Sequence, residues 1–144
     1  MSLNAVSCQT PDTEQIENEE TSNNGSMKIK VTINGKVLTA TLEDNPTAKD
    51  FISLLPITLN LEDYNKTEKI STLPQKLDSK EVPHYPKAVT GDIGYYIPWG
   101  NICIFYKDFP HCSSLIKIGS FDGDVSDFQV AGDIRDVKIE VFED

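Results

Sequence analysis

The chain has 144 residues, of which 38% are apolar and 25% charged, and a formal net charge of −10. That length suits one compact domain. The acidic balance argues against nucleic acid or an anionic membrane surface as a partner, because polyphosphates are held by clustered Lys and Arg. No apolar run approaches the roughly 18–20 residues that a membrane-spanning helix needs.

The charge is uneven. Residues 1–26 hold Asp12, Glu14, Glu17, Glu19 and Glu20, no Lys or Arg, and no aromatic ring. Such a composition cannot bury enough apolar area to offset the entropy of ordering. We read residues 1–26 as a disordered acidic leader or linker, and residues 27–144 as the folded domain. Three cysteines do not make a disulfide scaffold. Ala5-Val6-Ser7-Cys8 is similar to the small-residue box ahead of a lipidated bacterial cysteine. No basic or apolar segment precedes it. Lipidation at Cys8 would need a signal segment missing from this chain, and would make the domain a tethered extracytoplasmic interaction module. The alternative is an ordinary cysteine in a loose leader, with the protein in the cytoplasm.

Residues 27–33 (MKIKVTI) and 36–43 (KVLTATLE) alternate apolar and polar side chains around Asn34-Gly35. This pattern predicts a hairpin, because both turn residues must accept positive φ. Asp44-Asn45-Pro46 then signals a helix start. Ala48, Phe51, Ile52, Leu54 and Leu55 space as one helical face, which predicts a capping helix over about 46–55. Pro56 ends it. Residues 57–61 and 68–72 read as strands, and residues 73–90, with Pro74, Pro83 and Pro86, as loop. Residues 93–97 and 102–106 are apolar strands on either side of Pro98-Trp99-Gly100. Strands at 115–118 and 137–142, with a short helical turn at about 125–128, complete the chain. The fold class is mainly β. About eight short strands at this spacing predict a sandwich or a closed barrel.

Residues 91–108 hold five of the twelve aromatic side chains and the chain's one tryptophan, Trp99. Alternation places Ile102, Ile104 and Tyr106 on one face, and Cys103, Phe105 and Lys107 on the other. Likewise Ile93, Tyr95 and Ile97 lie opposite Tyr96. Both faces of the 102–107 strand are largely apolar, so both must be covered, and the helix over 46–55 is the expected cover. Tyrosine and tryptophan favour half-buried rims. We therefore expect a ligand-binding depression drawing on Tyr95, Tyr96, Trp99 and Tyr106, with Glu68 as a polar candidate should it face a pocket.

Other chemistry is poorly supplied. His84 and His111-Cys112 lack a second ligand at metal-site spacing, so no metal is expected. Adjacency of His111 and Cys112 does not set a base against a thiol, and Cys103 reads as buried packing. Asp122, Asp124 and Asp127 lack the closing Glu of a calcium loop. No glycine-rich phosphate loop is present, and no cofactor is expected.

Several runs together carry a resemblance. They are Asn45-Pro46-Thr47-Ala48 with Phe51 and Leu54-Leu55-Pro56, Leu61-Glu62-Asp63-Tyr64 with Glu68-Lys69, Gly91-Asp92-Ile93-Gly94-Tyr95-Tyr96 with Pro98-Trp99-Gly100-Asn101, Ile104-Phe105-Tyr106, and Leu115-Ile116-Lys117-Ile118-Gly119. Over residues 27–144 the chain resembles the bacterial cyclophilin-like family of small proteins, mostly of unknown function. The resemblance implies a closed, eight-stranded cyclophilin-like β-barrel with helical caps. Cyclophilins proper isomerise prolyl bonds with an essential arginine. Their Phe-His-Arg run and Gln-Gly-Gly-Asp loop are absent here, and the sole arginine, Arg135, precedes the last strand. Lysine does not replace a planar guanidinium, so no catalytic residue is carried over. The leading expectation is a domain that binds a small molecule or peptide. The alternatives are a prolyl isomerase or other, hydrolytic, enzyme, and the tethered interaction module.

Overall fold

A computed structural model describes residues 27–143. The leader and Cys8 lie outside the described residues. Strand β1 (Met27–Ile33) and strand β2 (Lys36–Leu42) form the expected hairpin, with Ile33 paired to Lys36. Asn34 and Gly35 take φ of 49° and 78°, the positive values that a two-residue turn requires.

Helix α1 spans Pro46–Ile52. Asn45 Oδ1 accepts from the Ala48 N–H at 2.8 Å, and Asn45 Nδ2 donates to the Lys117 carbonyl at 3.0 Å. Its buried side chains are Thr47, Ala48 and Phe51. The helix is shorter than the apolar spacing suggests. Leu54 and Leu55 donate three residues back, to Phe51 and Ile52. The last turn thus tightens ahead of the cis Leu55–Pro56 bond, where proline disfavours helical backbone in the residue before it.

The other strands are β3 (Ile57–Tyr64), β4 (Glu68–Thr72), β5 (Asp92–Tyr96), β6 (Asn101–Phe105), β7 (Leu115–Phe121) and β8 (Ile134–Val141). A 3-10 turn covers Ser126–Phe128. Strand β3 runs past the expected 57–61 to Tyr64, β7 continues through Gly119 to Phe121, and β8 begins at Ile134. Gly119 is required by close approach: a Cβ there would lie 2.7 Å from the Thr41 carbonyl oxygen of the neighbouring strand. The strands close in the order β1-β2-β7-β5-β6-β4-β3-β8, with β8 pairing back onto β1. This is the mainly β, closed eight-stranded barrel that the resemblance implied, and one of the two architectures that the strand pattern allowed.

The barrel interior is filled by Ile29, Val31, Leu61, Ile93, Tyr95, Ile102, Ile104, Ile116, Val137 and their neighbours, joined by Ala48 and Phe51 from α1. The helix thus closes onto the interior core and does not cover the outer face of β6. That correction has a local cause. Asn45 ties the helix start to β7, and Thr47 and Asp50 tie it to the backbone of Asp78. The outer face of β6, at Cys103 and Phe105, is covered instead by Ala88, Tyr85, Phe109, Cys112 and Leu115. Ala88 and Phe109 form an isolated bridge that holds two loops together there. Buried Asp92 anchors one of them, accepting from Val89 N–H at 2.8 Å and Tyr85 O–H at 2.9 Å. Among the described residues no helix is long and apolar enough to cross a membrane.

Candidate functional site

Cross-strand neighbours share a face of a sheet. Tyr64 pairs with Glu68 between β3 and β4, and Glu68 pairs with Phe105 between β4 and β6. Ile70 pairs with Cys103 in the same rows, and Tyr96 pairs with Asn101 and Leu115. These pairings bring side chains from five strands onto one outer face. The loop after β6 adds Phe109 and His111. Between them lies a cavity of about 200 Å³.

Its mouth is aromatic. Trp99, at the tip of the β5–β6 turn, is 52% exposed. It packs edge to face on Tyr96 at 5.2 Å between ring centroids, and on Tyr64 at 5.8 Å. Both separations fall in the range favoured by ring quadrupoles. Gly100 makes the turn possible, with φ of 66°. Its N–H donates to the Tyr96 carbonyl at 3.0 Å, and its carbonyl accepts from the Leu73 N–H at 3.0 Å. The tryptophan is therefore mounted on a pinned turn. The floor is made by Ile70, Cys103, Phe105 and Leu115. Gly94 sits beneath Leu115, where a Cβ would come within 2.8 Å of the leucine Cδ1.

The polar groups in the cavity are few. Asn101 is buried, and its Oδ1 accepts from Thr72 Oγ1 at 3.0 Å. Glu68 is 7% exposed. Burial pushes its carboxyl up, a hydrogen bond with Cys103 offsets part of this, and the nearby Asp63 charge adds to the rise. Burial also holds the Cys103 thiol well above its ordinary value, with the Glu68 charge acting in the same direction. Cys112 is raised too, mainly by burial, and its Sγ faces the Phe109 carbonyl. Thiols raised in this way stay protonated near neutral pH, which is the opposite of an activated nucleophile.

Of the residues singled out from sequence, Tyr96, Trp99 and Glu68 meet in this cavity. Tyr95 and Tyr106 do not. Tyr95 points into the barrel, where its hydroxyl accepts from the Leu77 N–H at 3.0 Å. Tyr106 also faces inward and donates to Asp63. Burial and that hydrogen bond push its hydroxyl up to about 12. Sequence reasoning left out Tyr64 and Asn101. Extending the 57–61 alternation to residue 64 would have shown Tyr64, because the hairpin around Asn65-Lys66 sets it opposite Glu68. Arg135 is exposed on β8, outside the cavity. Among the described residues no three His, Cys, Asp or Glu side chains cluster as metal ligands.

The comparisons agree with the architecture. The profile of the cyclophilin-like family matches residues 31–140. The fold is similar to the solution structure of a hypothetical protein from Archaeoglobus fulgidus, with 20% identity and a TM-score of 0.56. That alignment covers 83% of this chain and 98% of the archaeal one. At such identity the likeness is one of fold alone. No curated protein matches the sequence. The profile covers about three quarters of the chain and reaches into all eight strands of the closed barrel, and on that basis the chain belongs to the cyclophilin-like family.

Proposed function

We propose that this domain binds a small molecule or a peptide side chain in the cavity bounded by Tyr64, Tyr96 and Trp99. The observation that carries this reading is the cavity itself. It is a concave, aromatic-lined recess with a few converging polar groups, the usual composition of a ligand site. It lies on the outside of a barrel whose interior is filled with side chains. Trp99 stays 52% exposed while it packs edge to face on Tyr64 and Tyr96, which suits a rim that closes over a ligand.

Catalysis by prolyl isomerisation draws no support from this cavity, which is lined by no arginine or lysine. Trp99 is the chain's one tryptophan, so its emission reports on this site without interference. In a screen of metabolites and proline-containing peptides, at least one compound class is expected to shift Trp99 emission saturably. Emission that ignores every class, in a folded protein, would remove the reading.

A further inference from the structure

Glu68 differs from Asp92, the other carboxylate buried among the described residues, and from several more exposed ones. Asp63 pairs with Lys69 Nζ at 3.1 Å, Asp92 with Lys117 Nζ at 3.4 Å, and Asp122 with Lys28 Nζ at 2.8 Å. Among the described residues no salt bridge reaches Glu68, and the charge acting on it is that of Asp63. A buried carboxylate without a cation is costly. It lies in the one wall of the cavity that carries a formal charge, and the rings of Tyr64, Tyr96 and Trp99 stand at the mouth. The two tyrosines meet the tryptophan at interplanar angles of 82° and 89°. A right-angle pair covers at most one face of one of its two rings, and all three residues line the cavity. Their faces attract a cation within about 6 Å.

We propose that the cavity recognises an organic cation, an alkylated or methylated ammonium group, held by the Trp99, Tyr64 and Tyr96 rings with the Glu68 carboxylate as its counter-charge. This deepens the binding reading above and rests on it. The bulky apolar floor favours a methylated head over a bare ammonium, because methyl groups lose less hydration on entering a ring of aromatic side chains. The cation can belong to a free small molecule or to the side chain of a peptide. The chemistry at the cavity is the same for both.

The test compares choline with 3,3-dimethylbutan-1-ol, which has the same shape and no charge. Binding is read by amide and indole NMR shifts. Choline is expected to perturb Tyr64, Glu68, Tyr96 and Trp99, with the neutral isostere about tenfold weaker or worse. Glu68→Gln, which keeps the shape, and Trp99→Ala, at an exposed position, are each expected to weaken choline about tenfold. A peptide bearing trimethyllysine distinguishes the sources. Tighter binding than choline assigns the cation to a peptide, and weaker binding assigns it to a free small molecule. Equal binding of choline and the isostere would overturn the cation proposal and leave the cavity a neutral ligand site. So would no choline shift up to about 10 mM from a protein whose Trp99 emission responds to another compound. Silence towards every compound would end both readings.

Discussion

Glu68 and Lys69 are consecutive, yet they point to opposite sides of β4 and meet opposite chemistry. Glu68 faces the aromatic cavity. It shares that space with Tyr64 from β3, Tyr96 from β5, Cys103 from β6, and His111 and Cys112 from the loop after β6, while Asp63 acts on it from β3. Burial raises its carboxyl, so the folded protein holds that proton to higher pH than the unfolded chain does. Between the unfolded and the raised folded value, the folded state binds more protons, and stability falls as pH rises. Glu68→Gln removes the effect. The variant is expected to be more stable than the wild type at neutral pH, and to lose that advantage below about pH 4, where the carboxyl is protonated in either state. Urea unfolding at a series of pH values measures this, and a wild type more stable than the variant at neutral pH would contradict it. The inward and outward faces of residues 93–97 and 102–106 were legible from alternation. The same alternation separates Tyr95 and Tyr106 from Tyr96. What could not be read was the register that sets Glu68 opposite Phe105. It depends on pairing between strands far apart in the chain.

Elements with local signals were the most legible. Asn34-Gly35 encodes its own turn, and Asn45-Pro46 encodes a helix start. The helix ends before the apolar spacing does, because that spacing continues through Leu54 and Leu55 while the backbone has already tightened ahead of Pro56. Those two leucines still pack on the core without being helical. Asn45 does more than cap: it joins α1 to β7 through the Lys117 carbonyl. Asn45→Ala removes both hydrogen bonds and is expected to cost about 1–2 kcal/mol. Asn45→Asp keeps a capping oxygen and loses the donor, so its cost should be smaller. Denaturant midpoints of the two variants rank them, and equal costs would mean that the capping oxygen contributes nothing. Prolines predict loop over residues 73–90, and the segment mostly is loop. Its service as the cover of β6 was hidden because no periodicity marks a loop that packs through Tyr85, Ala88 and an Asp92 anchor.

At the scale of the molecule, closure of the barrel fills the interior with side chains and leaves the proposed recognition to the outer surface. Strand β4 takes part in both jobs. Lys69, with 0% exposure, donates to the carbonyls of Val130 and Gly132, each at 2.6 Å, and pairs with Asp63. Its ammonium also lies 5.5 Å from the centre of the Tyr106 ring. One cation thus fastens the segment before β8 to the hairpin of β3 and β4. Lys69→Ala leaves two carbonyls and a carboxylate without their donor. The expected cost is about 3 kcal/mol, at the low end for breaking a buried pair because Asp63 keeps its Tyr106 hydrogen bond and some solvent. Lys69 faces away from the aromatic cavity, so the molecules that remain folded should keep the wild-type response of Trp99 to a bound compound. Urea unfolding measures the first quantity and NMR titration of the folded protein the second. If stability falls and recognition holds, the two faces of β4 act independently. If recognition falls with it in fully folded protein, the pinned segment beyond the barrel end also shapes the cavity, and the outer face alone does not define the site.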